Sequence, residues 1–388
     1  MSRLRWTTAG ESHGAALVGV LEGMPSGIPL DLERVNGELA RRQKGYGRGG
    51  RMRIERDVVE LLSGTRGGIT LGSPISFTIA NHDATIEKLP VPTNPRPGHA
   101  DLAGCQKHGH RDPRAVLERA SARETAVRVA IAAIARQALE PFGIEVFAHV
   151  VELGGVAVSP VAVEAAFDSG VPGRRSRRDA SEFLALDPAA EAAMRAAVDD
   201  AREGGDSLGG IFEVRALGLP PGLGSYASGP ERLTARVGGA LFSIPAIKGV
   251  EFGLGFEAAR RKGSAVHDPI VPAEPGSGPR GARMRRESNR AGGLEGGMTT
   301  GEPLLVRAAM KPIPTMRRGA RTVEFETLEP VAATYQRSDV TSVPAASVVG
   351  EAVVGLVLVE AFLDKFGGDS IGEVEAAFRS YVQRLGSV

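Results

Sequence analysis

The sequence predicts an α+β protein in which an enclosed helix lies between sheets. Three observations carry this. Residues 121–139 are apolar or small almost all round (Ala126, Val129, Ala130, Ile131, Ala133, Ile134), and a helix without a broad polar face is normally buried between layers. Alternating or β-rich runs at 15–21, 69–79, 144–158, 210–217 and 304–310 read as strands. No linker or internal repeat divides the 388 residues, so residues 1–388 are expected to form one integrated domain.

Taken in order, residues 4–8 read as a short strand entering a glycine-flanked turn, Gly10-Glu11-Ser12-His13-Gly14, and 15–21 as an apolar strand leaving it. A histidine on such a turn is either presented at an edge or simply solvated. Residues 31–42 read as a helix, with Asp31 as N-cap ahead of Leu32, Val35 and Leu39. Residues 41–51 set five cations among four glycines. That basic loop suits folding over a phosphorylated small molecule; a solvated loop is the alternative. Residues 58–63 and 69–79 read as strands.

A proline-rich connection at 90–97 leads into the stretch 96–128, which holds His99, His108, His110, the only cysteine (Cys105) and six arginines. Ser121 followed by Glu124 is a capping-box signature for the helix at 121–139. A helix N-terminus flanked by arginines is a natural place for an anion. Beyond it come strand-like 144–158, a polar arginine-rich connection at 171–182, and an amphipathic surface helix at 189–203. Residues 232–242 read as a helix and 248–256 as a strand. Residues 263–302, rich in Gly, Pro and Arg, are the longest non-periodic region, expected to be a functional loop or partly ordered. The strand at 304–310 runs into Lys311-Pro312-Ile313-Pro314-Thr315. From Val343 a long helix continues to Phe366, stopped by Gly367-Gly368.

Lys and Arg number 47 against 46 Asp and Glu, so no global field draws in nucleic acid. The basic loop offers only Tyr46 for stacking, which argues against RNA. A single cysteine excludes an internal disulfide and suits a reducing compartment. The N-terminus lacks the apolar core of a signal peptide, and no run approaches ~18 consecutive apolar residues. These features predict a cytoplasmic protein without a membrane span.

Metal, P-loop, Rossmann and α/β-hydrolase chemistry find no support. His13, His99, His108 and His110 lack ligand spacing; HExxH, GxxxxGK[ST] and strand-GxGxxG-helix are missing, and the GxSxG letters at 10–14 lie between two expected strands instead of in the strand-to-helix turn of a nucleophile elbow. What remains is an anion theme: Arg42, Arg48, Arg119, Arg123, Lys311 and Arg337, with histidines able to move protons near neutral pH. Arg337-Ser338-Asp339 sets a cation, a hydroxyl and a carboxylate side by side, either as an ion pair or with Asp339 as a proton acceptor.

Four segments in order carry a specific resemblance: Gly10-Glu11-Ser12-His13-Gly14 continuing to Glu22-Gly23-Met24-Pro25; Arg96-Pro97-Gly98-His99-Ala100-Asp101; Glu118-Arg119-Ala120-Ser121-Ala122-Arg123-Glu124-Thr125; and Arg337-Ser338-Asp339-Val340 with Glu351. Over essentially the whole chain the sequence resembles the chorismate synthase family. The resemblance implies a β-α-β sandwich with a central helical layer between two antiparallel sheets, assembled as a homotetramer. It implies a lyase converting 5-enolpyruvylshikimate 3-phosphate to chorismate and phosphate by anti-1,4-elimination, with reduced FMN and no net redox change.

By the same resemblance, Ser12, His13, Arg42, Arg48, Ser121, Arg123 and Arg337 bind substrate. His13 assists the leaving phosphate, His99 stands near the flavin N1 region, and Asp339 helps relay the proton lost from C6. Arginine suits such a substrate because its planar fork binds two oxygens at once. FMN contacts fall on Arg119, Ala120, Ser121, Pro245, Ala246, Gly296, Lys311, Pro312, Ile313, Pro314, Thr315 and Arg337. Other members carry Asn, Gln or Pro where Pro245 stands, so there only its backbone carbonyl can serve. Some members place an NADP site at the positions of Arg42 and Arg48, implying NADPH as reductant. His108 and His110 fall to local roles. An RNA-binding protein and a flavin oxidoreductase are the rival classes.

Overall fold

The structure, a computed structural model, describes residues 4–48, 56–274, 276–334 and 339–387. One sheet contains β1 (Arg5–Ala9), β2 (Ala16–Glu22), β3 (Glu60–Ser63) and β4 (Ile75–Ala80) in the order β1-β2-β4-β3, all antiparallel. Alternation puts Leu17 and Leu21 of β2, with Ile75, Phe77 and Ile79 of β4, on one buried face. Gly19 keeps that face open to a helix, because a Cβ there would overlap the Phe77 ring and Val127.

The second sheet contains β5 (Glu145–Leu153), β6 (Val156–Ala157), β7 (Gly210–Leu217), β8 (Ile247–Phe252) and β9 (Leu304–Met310) in the order β8-β9-β7-β5-β6, again antiparallel. Phe212, Val214 and Ala216 of β7, with Leu304, Val306 and Ala308 of β9, supply buried side chains.

Among the described residues ten helices connect or fill the layers: α1 (Leu32–Gln43), α2 (Asp101–His108), α3 (Arg114–Ala120), α4 (Thr125–Ala135), α5 (Pro160–Asp168), α6 (Gly170–Ala180), α7 (Glu191–Glu203), α8 (Leu233–Phe242), α9 (Val343–Phe366) and α10 (Ile371–Leu385). Helix α4 touches β1 and β2 on one side and α9 on the other, and α9 touches β5, β7 and β9. Together with α1 and α8 they make the middle of the sandwich, and one apolar core contains residues of both sheets and all four helices. Among the described residues, helix α9 alone is long and apolar enough to cross a bilayer, but 94% of its most apolar window is buried inside the protein. Its apolarity comes from contact on all sides, including the Phe212 ring that occupies the space beside Gly350.

Several expectations change. The helix expected from Ser121 begins earlier, as α3, and resumes as α4 after a 3-10 turn at Ala122–Glu124. Ser121 does cap that turn, accepting from Arg123 N. Glu124 does not complete a capping box; its carboxylate accepts from Arg128 and Thr8. The capping box that forms is Ser370 with Glu373, at the start of α10. Residues 171–182, expected as a connection, lie largely in helix α6 because two of their arginines are buried. Arg174 and Arg178, one turn apart, stack on Phe147 and pair with Glu145 and Glu351 respectively. The run at 69–79 breaks at Ser73-Pro74 into Ile69–Thr70 and β4. Residues 263–302 are organised around Asp268, which accepts from Ser288 Oγ and the N–H groups of Arg290 and Ala291.

Candidate active site

The turn at residues 10–14 is fastened from two sides. Asn81, just past β4, donates from Nδ2 to the carbonyls of Gly14 (2.8 Å) and Glu11 (3.1 Å). Glu118 on α3 accepts the His13 N–H at 2.9 Å, and its carbonyl accepts the Ser12 N–H at 3.0 Å. The Glu118 carboxylate also lies 2.9 Å from His13 Nδ1 and accepts from Arg114 at 3.2 Å. A buried carboxylate at Nδ1 selects the tautomer with its proton there, which leaves Nε2 for chemistry. Nε2 lies 3.8 Å from Asp83. Burial by itself raises the Glu118 pKa, but the His13 bonds and Arg114 outweigh it, so Glu118 sits below the usual glutamate range. Ser121 Oγ donates to Ser12 Oγ (3.2 Å), and Arg119 donates to the carbonyls of Thr8 and Gly10, both at 3.0 Å. Ala120 ends α3 between these two contacts.

Next to this turn the arginines gather. Arg123 donates through Nε to Asn81 Oδ1 (2.9 Å) and pairs with Asp57; Arg42 pairs with the other Asp57 oxygen at 2.8 Å. Burial raises the pKa of Asp57, yet Arg42 and Arg123 hold it below the ordinary aspartate value. Arg42 itself is pushed down, first by burial, with Asp57 opposing and Arg48 and Arg123 adding like charge. Arg48 pairs with Asp339 at 2.7 Å, and Ser342 Oγ donates to the same carboxylate at 2.9 Å. Three guanidiniums thus meet two carboxylates, and the buried Arg42 Nε has no hydrogen-bond partner among the described residues. That charge excess is what an anionic ligand needs.

A second histidine is held in the same manner. His99 Nδ1 lies 2.6 Å from Asp101, which Arg96 grips at 2.8 and 3.0 Å. Burial opposes ionisation of Asp101, but His99 and Arg96 prevail and hold it far below the usual range. Arg96 also reaches Thr315 Oγ1 at 3.4 Å. Lys311 donates from Nζ to Gly98 O (2.9 Å) and from its backbone N–H to Ala246 O (3.0 Å). Pro245 and Ala246 occupy the bend between α8 and β8, where Ala246 takes a φ of 70°. Gly296, with φ 58°, turns the small hairpin whose Gly297 carbonyl caps the start of α8 at Leu233.

Backbone contacts join these groups. Ser207 Oγ donates to Ile313 O, between Pro312 and Pro314; Leu208 N donates to Val340 O, and Val340 N to Gly47 O. The 311–315 segment is thereby tied to Asp339 and Arg48. Arg337 and residues 49–51 of the basic loop lie outside the described residues. His108 and His110 do not join His99; they stack on each other at the end of α2, ring centroids 5.7 Å apart. Glu118, Asp101, Asp57 and Asn81 were missed as functional residues. The first two stand inside the quoted segments, where a carboxylate near a histidine was a usable signal. Asp57 and Asn81 carry no local signal, because their roles depend on Arg123, which lies 66 and 42 residues away in sequence respectively.

The family model of chorismate synthase matches residues 4–363. The chain is similar to chorismate synthase of Trichlorobacter lovleyi, 51% identical over 396 residues that cover 98% of this chain and 99% of the relative. That of Salinispora tropica is 50% identical over 401 residues, with the same coverage. A chorismate synthase crystal structure superposes with a TM-score of 0.81 at 42% identity and covers 100% of both chains. The chain belongs to the chorismate synthase family. It is accordingly an enzyme, a carbon–oxygen lyase acting on phosphates, and its fold is the family's α+β sandwich.

Chorismate synthases use reduced flavin, and the residues near Lys311 are compatible with an anionic cofactor. Lys311 sits below its ordinary value, first through burial and then through the like charge of Lys248. Among the described residues its ammonium has a carbonyl partner but no carboxylate. An ammonium pressed by the like charge of a second lysine suits a phosphate or an anionic ring. A Cβ placed on Gly296 meets nothing within 4 Å, so the hairpin tip leaves open space on that side.

Proposed function

We propose that the enzyme converts 5-enolpyruvylshikimate 3-phosphate to chorismate and inorganic phosphate by anti-1,4-elimination. The observation that supports it most is the convergence of Arg42, Arg48 and Arg123 beside a histidine whose Nδ1 is held by a buried carboxylate. The substrate carries one phosphate and two carboxylates, and three guanidiniums supply the planar forks for them. In the reaction the C3–O pair leaves with phosphate and C6 loses a proton; the C6–H pair becomes the C6=C1 bond and the C1=C2 pair moves to C2=C3, giving a conjugated diene.

His13 stands at the phosphate, and in its doubly protonated form, with Nδ1–H held on Glu118, it donates from Nε2–H to the leaving oxygen. Ser12 and Ser121 orient the same group. Asp339, paired with Arg48 at 2.7 Å, receives the C6 proton. Reduced FMN, when bound along Arg119, Ala120, Ser121, Pro245, Ala246, Gly296 and residues 311–315, supplies transient electron donation without net redox change. His99, held by Asp101 and Arg96, stands beside that cofactor.

Arg337 keeps its assignment to both ligands on the resemblance alone. Arg42 and Arg48 are assigned to substrate, and no contact supports an NADPH site. The largest apolar core, shared by both sheets, supports reading residues 1–388 as one domain. A cytoplasmic homotetramer of the shikimate pathway, acting on neither nucleic acid nor membrane, completes the reading. The test is an anaerobic assay with photoreduced FMN and the enolpyruvyl substrate. Stoichiometric phosphate and chorismate without consumption of reduced FMN are expected; a folded, FMN-bound sample that releases no phosphate overturns the reading.

A further inference from the structure

His13 has a carboxylate at each ring nitrogen. Nδ1 rests on Glu118 at 2.9 Å, whereas Nε2, the nitrogen that serves the leaving phosphate, faces Asp83 Oδ2 at 3.8 Å. The two carboxylates differ in setting: the Glu118 side chain is 1% exposed and that of Asp83 37%. Backbone ties dictate where Asp83 stands, because the loop after β4 is fastened to the His13 turn on both sides of it. Before Asp83, the Asn81 N–H donates to Ala15 O at 3.1 Å, and Asn81 Nδ2 donates to the carbonyls of Gly14 and Glu11. After it, the Ile86 N–H donates to His13 O at 3.1 Å. Between these ties Thr85 Oγ1 donates to Asp83 Oδ1 at 2.7 Å, which leaves Oδ2 as the oxygen toward the ring. A carboxylate is thus delivered to the nitrogen where an anionic oxygen has to sit, and the elimination itself gives it no task.

We propose that Asp83 is a specificity-determining residue of the phosphate subsite, whose carboxylate competes with bound phosphate for His13 Nε2. This rests on the reading that places His13 at the phosphate. In the free enzyme the doubly protonated ring is paired with Asp83; an incoming phosphate takes that place and then lies beside a like charge. The enolpyruvyl substrate offsets the repulsion through its two carboxylates on the neighbouring guanidiniums. Inorganic phosphate has no such second hold, so it binds poorly and is expelled once the C3–O bond has broken. Asp83 makes and breaks no bond; it acts through His13 and through its field. A repulsive group built against the wrong ligand is a general route to selectivity. Because solvent reaches Asp83 and screens it, the effect is expected to be moderate, about tenfold in affinity.

The test titrates inorganic phosphate calorimetrically into the full-length protein saturated with oxidised FMN, so that the flavin's own phosphate subsite is filled. Sulfate, a dianion whose charge does not change near neutral pH, is run in parallel. Asp83→Asn keeps the shape and an oxygen for Thr85 but removes the charge, and it should bind both anions about tenfold more tightly, equivalent to about 1.4 kcal/mol. Asp83→Glu, which keeps the charge, should stay near wild type. A merely structural role gives the opposite sign, since damage to the loop weakens binding. Phosphate affinity in Asp83→Asn that is unchanged or lower overturns the inference. His13→Ala separates this from the reading beneath it: phosphate binding should weaken there. If it does not, phosphate is not held at His13 and both fall; if it does, while Asp83→Asn gains nothing, only the role of Asp83 falls. Should Asp83→Asn not fold, Asp83→Ser carries the same test, and an affinity no higher than wild type is equally decisive against the inference.

Discussion

His13 Nδ1 lies 2.9 Å from Glu118 Oε2, and the same oxygen accepts the His13 backbone N–H at 2.9 Å. One buried carboxylate therefore fixes both the ring and the turn that presents it. Glu118→Gln keeps the shape but removes the charge, and turnover should fall about 10–100-fold, as for partners that orient a working imidazole. Adding His13→Ala to Glu118→Gln should cost less than in the wild-type background, because the two residues act as a unit. Phosphate release under single-turnover conditions measures both; full additivity would separate Glu118 from His13.

His99→Ala and Asp339→Ala are each expected to lower turnover by about 10²-fold or more, the usual scale for a proton-transfer group. Flavin fluorescence titration should show FMN still bound. Wild-type rates in either variant would remove that residue from the mechanism.

Asp57 bridges Arg42 and Arg123 at a fully enclosed position. Asp57→Asn leaves two buried guanidiniums uncompensated, and breaking a buried pair in this way costs about 3–5 kcal/mol. The urea midpoint should drop accordingly. A change within experimental error would mean that solvent already reaches the arginines.

Glu213 has its pKa lowered to about 2, from an ordinary value of 4.5; burial pushes it upward, but His149 and Arg215 overcome that. A depressed carboxylate contributes fully above its unfolded value and loses the contribution as pH falls through the folded one. Stability measured by urea denaturation should therefore decline from about pH 4.5 toward pH 2. Glu213→Gln should flatten part of that decline, with Asp101 and Glu351, also depressed, keeping the rest. An identical slope in the variant would assign the acid sensitivity elsewhere.

Gly350 lies where α9 meets the Phe212 ring. Gly350→Ala overpacks that contact and should cost about 1–3 kcal/mol despite its better helix propensity. A raised thermal midpoint would show that the ring moves aside freely.

Sequence by itself determined the elements whose patterns are local. The period-two faces of β2 and β4, the Asp31 cap of α1, the uniformly apolar α4 and the glycine stop after α9 all follow from neighbouring residues. The ordered segments around His13, His99 and Ser121 likewise identified the family before any geometry was known. Only the tertiary structure decided what depends on distant partners. Residues 170–180 are helical because Arg174 and Arg178 can be buried, and they can be buried only where Phe147, Glu145 and Glu351 wait for them. Asp57 and Asn81 become site residues only when folding delivers Arg42 and Arg123 to them. The capping box expected at Ser121 did not form, and the one that did, Ser370 with Glu373, was not among the expectations. At the first, Arg128 and Thr8 compete for the Glu124 carboxylate, and that competition exists only in the packed chain.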